Sequence, residues 1–373
     1  VEYADGGRDA AYFHACNHGK RSVVADFATP AGAALAKELC AGADVVIENF
    51  RRGGLARFGL DAATLRASHP RLIYCSITSF GQDGPLADRP GYDFVVQAMG
   101  GIMDLTGEPA GAPQKPGVAY ADLFTGLHAV IAIEAALLRR ERTGQGATID
   151  LALLDTQVSM LANQAMNYLV SGSTPHRLGN AHPNLVPYQV FTVADGELVI
   201  AVGNDNQFRR LVEVLGVSGL ADDPCMRTNA DRVAHRARVV AAVQAACQAF
   251  TRQALAEQLN RAGVPAGPIQ TVAEAFADPQ VRALELRTQV KSRDGESVPA
   301  VRTPIRIDGQ PAPVRRAAPR LGEHQAEIEA GGLRFMPASN ESGGAGYAHR
   351  GYGNRHEHYA RFGYTVSDGL LTS

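Results

Sequence analysis

Between residues 22 and 77 the sequence alternates short apolar runs with capped, helix-forming segments, and this alternation constrains the fold more than any other feature. Residues 22–27, 44–48 and 72–77 each read as a short strand. After the first, Thr29-Pro30 supplies a helix N-cap and a proline at the first helical position. The Ala/Leu-rich run to Cys40 reads as the helix, and Gly42 is placed to end it. Asp61 caps a second, shorter helix before the third strand. Strand, helix, strand, helix, strand at these spacings predicts a parallel, doubly wound α/β sheet, to which residues 147–152 add a strand. Ligands in such sheets bind beyond the carboxyl ends of the strands. Little precedes residue 22 that reads as a further strand, so the chain is expected to start mid-sheet or to use an unusual strand order.

Residues 81–116 are rich in Gly and Pro and read as loop, except for a helical patch at 94–99. The strongest helix spans 123–142. Leu123, Leu127, Val130, Ile131, Ala135 and Leu138 form its apolar stripe, and Arg139, Arg140 and Arg142 place cations at its carboxyl end before Gly144. A further helix is expected over 155–170. The pattern then breaks into Gly, Ser, Pro and His over 171–187, a candidate domain boundary. From residue 188 onward the pattern reads as α+β. A hairpin joins 188–193 to 198–202, helices cover 207–215, 231–250 and 252–262, and strand-like stretches lie at 286–291 and 301–307. Beyond about residue 334 periodicity vanishes, and a disordered tail is expected. His356-Glu357-His358 within it reads as solvated tail, because metal-ligand pairs need i,i+4 spacing on a helix or a fixed turn.

Composition removes several function classes. Thirty-six Lys+Arg against 38 Asp+Glu leave a net charge of -2, so no global field attracts nucleic acid or acidic lipid. The apolar stretches are read as interrupted before the ~20 residues of a membrane span. Five scattered cysteines without a C-x-x-C pair argue against a disulfide scaffold or a structural zinc, and fit a reducing cytoplasm. No secretory-type segment opens the sequence as given. Neither G-x-x-x-x-G-K-[ST], G-x-S-x-G, H-E-x-x-H nor a strand-linked G-x-G-x-x-G occurs.

Asp122 is the most informative position, lying where a Gly/Pro loop meets the strongest helix. From spacing alone it reads as an N-cap whose carboxylate accepts first-turn amides. The alternative is a carboxylate nucleophile with free helix amides beside a developing oxyanion. A helix terminus stabilises an anion by at most ~2 kcal/mol, whereas catalysis needs at least ~8, so positioning must supply most of the difference. A second cluster, Glu48-Asn-Phe-Arg-Arg-Gly-Gly-Leu-Ala-Arg-Phe-Gly59, follows the carboxyl end of a strand. Arg51, Arg52 and Arg57 suit phosphate there, and Phe50 and Phe58 suit an adenine or a pantetheine arm; a solvated basic loop is the alternative. Tyr92 and Asp93 stand in a turn-rich loop. Gly203-Asn-Asp-Asn-Gln207 reads as a helix cap or as a cover over a carboxylate substrate.

Together these pieces resemble the family III CoA-transferases, also called the CaiB/BaiF family, from about Asn17 to Glu323. The marks are Asn17-His-Gly-Lys-Arg-Ser22, Ala43-Asp-Val-Val-Ile-Glu-Asn-Phe50, Gly91-Tyr-Asp93, Ala121-Asp122, Thr143-Gly-Gln-Gly146, Gly263-Val-Pro-Ala-Gly-Pro268 and Pro319-Arg-Leu-Gly-Glu323. The resemblance implies a large Rossmann-like CoA-binding domain over 1–180 and a smaller α+β domain over 181–300. It also implies a return segment over 301–330, a tail over 331–373, and an interlocked homodimer. It implies that Asp122 attacks the donor thioester, passing through an aspartyl anhydride and an aspartyl–CoA thioester before CoA reaches the acceptor acid.

The implied CoA contacts are Ala25, Asp26, Ala28, Asn49, Phe50, Arg51, Arg57, Phe58, Arg89 and Tyr92, with Tyr92, Asp93, Gly203, Asn204 and Asp205 near the substrate. CoA is then a substrate; no tightly bound cofactor and no metal are expected. The stretch Gly179-Asn-Ala-His-Pro-Asn-Leu-Val-Pro-Tyr-Gln-Val-Phe191 looks like the subset that uses succinyl-CoA and small dicarboxylic acids. Related 2-methylacyl-CoA racemases carry a histidine where this chain has Tyr92, whose phenol (pKa about 10) is a poor base at neutral pH. A racemase therefore stands second. The family's opening strand and turn are expected to be missing ahead of Asn17, and a catalytically inactive CoA-binding remnant is the non-enzymatic alternative.

Overall fold

A computed structural model of the chain describes residues 10–292, 295–312 and 316–331. Among these, contacts divide the chain into two compact units. One is drawn from the described residues up to Val96, from Tyr120–Thr156 and from the described residues after Ala277, the other from Gln97–Ala119 and Gln157–Ala277. The divisions thus fall elsewhere than the boundaries expected near 180 and 300. Composition marks where the chain loops, whereas a unit is defined by which segments share a core. The tail from residue 332 onward, with His356, Glu357 and His358, lies outside the described residues.

The first unit begins with helix α1 (Ala11–Asn17). The strand expected over 22–27 does not form. That segment is extended, but its backbone bonds go to the other end of the chain. Ser22 N donates to His324 Nδ1 at 3.2 Å, Val24 N to Gln325 Oε1 at 2.8 Å, and His324 N to the Ser22 carbonyl at 3.0 Å. Helix α2 (Pro30–Ala41) starts as its sequence dictates, with Thr29 Oγ1 accepting from Gly32 N at 3.1 Å. Gly32 is obligatory, since a Cβ there would stand 2.1 Å from the Asp26 carbonyl oxygen. Strand β1 (Val45–Glu48) comes next, then α3 (Ala62–Ser68) capped by Asp61, and strand β2 (Ile73–Thr78). Helix α4 (Asp93–Met99) starts in this unit and α5 (Ile102–Leu105) belongs to the second, and the 24-residue α6 (Tyr120–Thr143) and strand β3 (Thr148–Ala152) belong again to the first.

The three strands pair parallel in the order β1-β2-β3, with Glu48 opposite Ser76 and Ser76 opposite Asp150. Period-two alternation puts neighbouring residues on opposite faces. Tyr74 packs with Ala36, Leu60 and Leu65 on the α2/α3 side, while Ile73 and Cys75 pack with Ala129, Ile133, Ala136 and Leu137 of α6. Helices therefore cover both faces, and the three strands run in chain order without a reversal.

Helix α6 departs from its expected orientation. Leu123, Leu127, Val130, Ile131 and Leu138 are exposed, and the buried face is the smaller-residue set around Ala129 and Ala136. Small residues let a helix approach a sheet closely. An 18-residue stretch of the same helix has a mean hydropathy of 1.6, so by length and composition the helix could cross a membrane, contrary to the expectation of interrupted stretches. Its isolated charges do not offset the Leu, Ile, Val and Ala around them. Near its carboxyl end Arg140 is buried and pairs with Asp44 at 2.8 Å.

Instead of one helix over 155–170 there are two, α7 (Leu153–Ser159) and α8 (Ala162–Ser171), separated where Ala162 takes a φ of +47°. The second unit continues with the hairpin β4 (Tyr188–Val193) and β5 (Gly196–Ala201). Helix α9 (Asp205–Val214) is next, then α10 (Asn229–Ala234) and α11 (Arg236–Cys247), which split the expected 231–250 helix at His235, and then α12 (Arg252–Arg261). Strand β6 (Ala266–Pro268) adds antiparallel to β5, and α13 (Val272–Ala277) closes the unit. Phe191, Leu198, Ile200, Phe208, Leu211, Val243 and Leu255 form its core.

The chain then returns to the first unit with α14 (Pro279–Ala283) and the hairpin β7 (Arg287–Lys291) and β8 (Ser297–Val301). A two-residue pair, β9 (Arg306–Ile307) and β10 (Gln310–Pro311), and α15 (Gln325–Gly331) complete it. The strand expected over 301–307 is thus the end of one strand and the start of another.

Candidate active site

Beyond the carboxyl ends of β1 and β2 lies a cavity of about 730 Å³, within the first unit. Its wall includes Asn49, Phe50, Arg51 and Arg52 after β1, Arg89 and Tyr92 from the loop after β2 with Asp93 at the start of α4, and Asp122 from the first turn of α6. A helix start, two strand ends and a loop converge here because each parallel strand ends at the same edge of the sheet. Gly91 permits the loop to pass: its carbonyl accepts from Ser79 Oγ at 2.8 Å, and a Cβ there would lie 2.8 Å from the Ser79 Cβ.

Asp122 is the third residue of α6, and it does not cap it. The amides of Ala121 and Asp122 donate to Asp93 Oδ1 at 2.8 and 3.2 Å, so the first residue of α4 caps the helix instead. The capping carboxylate and the carboxylate of interest are thus separate groups. Those two amides are also already engaged, so they are not free donors for an oxyanion, contrary to the sequence-based reading. Loss of water at the cavity wall, and secondarily the charge of Asp93, raise the Asp122 carboxyl above its ordinary range. Asp122 remains exposed to the cavity and so accessible to a substrate.

The other expected residues divide. Ala25, Asn49 and Phe50 line a second cavity of about 310 Å³, floored by Val23, Ala36, Leu39 and Leu60. Asp26, Ala28, Arg57 and Phe58 line neither cavity. Asp26 Oδ1 accepts from Ala28 N at 2.9 Å in the turn before α2. Arg57 lies 4.5 Å over the Phe58 ring, which packs 5.6 Å from Phe27, and Phe27 also reaches Phe50 at 6.4 Å. The Arg89 guanidinium stands 5.8 Å from the Phe80 ring. Gly203, Asn204 and Asp205 belong to the second unit. Asn204 caps α9 by accepting from Gln207 N at 3.0 Å, and Asp205 pairs at 2.8 Å with the fully buried Arg232.

Sequence reasoning passed over Glu48, Ser76, Gln82 and Tyr12. Burial raises the Glu48 carboxyl, and hydrogen bonds from Ser76 and Phe50 oppose that shift. Tyr12 on α1 hydrogen-bonds Cys16; burial, then Cys16 and then the charge of Asp122 hold its phenol above its ordinary value. For Glu48 a signal existed, an acid at a strand's carboxyl end directly before the Asn49–Arg51 segment. Nothing in the sequence pointed to Tyr12.

A carboxylate at the wall of a cavity that also carries Arg51, Arg52 and Arg89, on an α/β frame, is an arrangement chemically able to take an acyl group on a side chain beside guanidinium groups that suit an anionic substrate. The profile of CoA-transferase family III matches residues 2–325, and the chain belongs to that family. Succinate–glutarate CoA-transferase of Agrobacterium fabrum is 54% identical over 329 residues, 88% of this chain and 82% of that protein. Succinyl-CoA:glutarate CoA-transferase of Mus musculus is 38% identical across 88% of this chain and 75% of its own. The crystal structure of a CAIB/BAIF family protein from Brucella suis superposes with a TM-score of 0.77 at 53% identity, covering 88% of this chain and 86% of that one. The fold is that of the family III CoA-transferases, and the chain is a CoA-transferase acting on CoA thioesters.

Proposed function

We propose that the chain moves CoA between succinyl-CoA and a small dicarboxylic acid such as glutarate, with Asp122 as the nucleophile. The observation that carries this reading is Asp122 itself, exposed at the wall of a cavity that also holds Arg51 and Arg89. The names of the two glutarate enzymes, one 54% identical, favour succinate and glutarate as the exchanging acids.

In the proposed sequence an Asp122 carboxylate oxygen attacks the succinyl thioester carbon. The C–S bond breaks, and CoA leaves as thiolate, giving a succinyl–aspartyl anhydride. The thiolate attacks the Asp122 carbonyl carbon, releasing succinate and leaving an aspartyl–CoA thioester. The acceptor carboxylate attacks that carbon and expels the thiolate, forming a second anhydride. Attack of the thiolate on the acceptor acyl carbon then regenerates Asp122. One thioester replaces another, so the exchange draws on neither ATP nor a redox partner. Asn49, Phe50 and Arg51 hold the nucleotide and pantetheine portions in this reading, together with Ala25, Asp26, Ala28, Arg57 and Phe58. Arg89, Tyr92 and Asp93 flank the reacting carbons.

The same proposal includes a Rossmann-like large domain, supported by helices on both faces of a parallel sheet. It includes a homodimer, supported by the exposed Leu127, Val130, Ile131 and Leu138 on one helix, a face that monomers rarely leave in water. It includes a reducing, cytoplasmic setting, supported by five unpaired cysteines.

The test is exchange from succinyl-CoA to glutarate, monitored by mass spectrometry. Asp122→Asn and Asp122→Ala are expected to lower turnover by at least ~10⁴-fold, as removal of a nucleophile does elsewhere. Hydroxylamine added during turnover should modify residue 122. Normal turnover in either variant overturns the assignment.

A further inference from the structure

The Asn49–Arg51 segment has no regular secondary structure to hold it, and its anchor is the residue before it. Glu48 ends β1 and accepts from the Phe50 amide through Oε2 at 2.8 Å. Its other oxygen, Oε1, accepts a short hydrogen bond from Ser76 Oγ on β2. Ser76 is buried, and its hydroxyl in turn accepts from Gln82 Nε2 at 2.9 Å. Gln82 is fixed from the far side, its backbone N–H donating to Asp150 Oδ2 on β3 at 3.3 Å. These groups meet because the parallel register sets Glu48, Ser76 and Asp150 side by side across the sheet. Gln82 opens the loop that later presents Arg89, Tyr92 and Asp93. A second tie joins the same two loops, with Arg52 Nη1 and Asp88 Oδ1 at 3.3 Å.

We propose that Glu48 is a positioning residue for CoA transfer: through Phe50 N and the Ser76–Gln82 relay it holds the Asn49–Arg51 segment in register with the loop carrying Arg89–Asp93. The proposal rests on the reading that Asn49–Arg51 contacts the acyl-CoA. Both Glu48 oxygens act as acceptors, a demand that a carboxylate meets and an amide meets only by half. In Glu48→Gln the remaining oxygen keeps the Phe50 amide, while the side-chain NH₂ can only donate to the Ser76 hydroxyl, whose own proton then loses its acceptor. The charge-assisted bond that ties β1 to the relay is thereby lost with little change in shape.

The test uses the full chain and steady-state exchange from succinyl-CoA to glutarate, beside thermal melting. Glu48→Gln is expected to raise KM for succinyl-CoA about ten-fold, the loss expected for one charge-assisted hydrogen bond, with kcat and KM for glutarate within about two-fold. Ser76→Ala should raise the same KM less, about three-fold, and the double variant should be no worse than Glu48→Gln alone, since both cut one relay. An unchanged KM in Glu48→Gln overturns the proposal. So does a fall in kcat and both affinities in step with the melting temperature, which is the mark of a merely structural role. If Glu48→Gln does not fold, Ser76→Ala alone decides, by the same split. Arg51→Ala separates the two layers of inference. If it leaves KM for succinyl-CoA unchanged, the CoA-contact reading fails; if it raises that KM while Glu48→Gln does not, only the positioning role fails.

Discussion

Two carboxylates meet at the start of α6 with different tasks. Asp93 neutralises helix amides through one oxygen, while Asp122 is left exposed, partly desolvated and under the field of a neighbouring anion. That arrangement sets the sign of the pH effect. A carboxyl raised above its ordinary range binds its proton at higher pH, so the acid limb of kcat/KM should lie above the position of an ordinary aspartate. Asp93→Asn keeps an oxygen that can accept from the amides but removes the charge. Its acid limb should move toward lower pH, and a limb that stays in place would mean that burial alone sets the Asp122 carboxyl. At this scale the sequence was informative about position and less so about role. It singled out Asp122 and set Asp93 near the substrate, but the cap lay 29 residues away in the chain, where no local pattern reaches. Asp205 shows the reverse. The resemblance implied a substrate contact for it, where its spacing read as a helix cap or a cover, and its described partner is the guanidinium of Arg232, which also donates to the Val186 and Met226 carbonyls.

Among the elements, α6 carries the most information. Its existence was legible in the sequence, read over 123–142, because a long run of helix-forming apolar residues ends in a basic carboxyl terminus before Gly144. Which face it buries was not, since apolar residues occur nearly all round it and periodicity cannot say which side meets the sheet. The answer depends on size: Ala129, Ala136 and the β-branched Ile133 fit against Ile73 and Cys75. Arg140 locks the far end by pairing with Asp44, just before β1, and reaching the Asp44 and Arg71 carbonyls. Truncating one partner of a buried pair leaves the other uncompensated, so Arg140→Ala should destabilise the protein by about 3 kcal/mol. Urea unfolding measures this, and a loss under about 0.5 kcal/mol would place that pair with surface ion pairs. The strand expected at 22–27, which does not form, has a similar explanation. Its residues are apolar enough for a sheet, but its hydrogen bonds are met by His324 and Gln325.

For the whole molecule, sequence reasoning found a parallel α/β part and a separate α+β part, and the resemblance found the family; the division between units was hidden. Each unit gathers stretches far apart in the chain, and the Gly/Pro/Ser composition around residue 180 records a loop within the second unit. The exposed apolar face of α6 belongs to this scale as well. If a second copy covers it, Ile131→Asp should shift the protein toward monomer in sedimentation velocity without unfolding it, because Ile131 is 65% exposed. A dimer unchanged by this substitution would place the interface on another surface.

The pairing of Ser22 with His324, 302 residues apart, has a consequence for synthesis. Every residue of the second unit has been translated by position 277, so that unit can close while the first still lacks its last segments. At ~5–20 residues per second the ribosome needs roughly 15–60 s to travel from one member of the pair to the other. Throughout that interval Val23 packs at most against Leu35 and Leu39 of α2, and Ile328 completes its burial only when the last helix arrives.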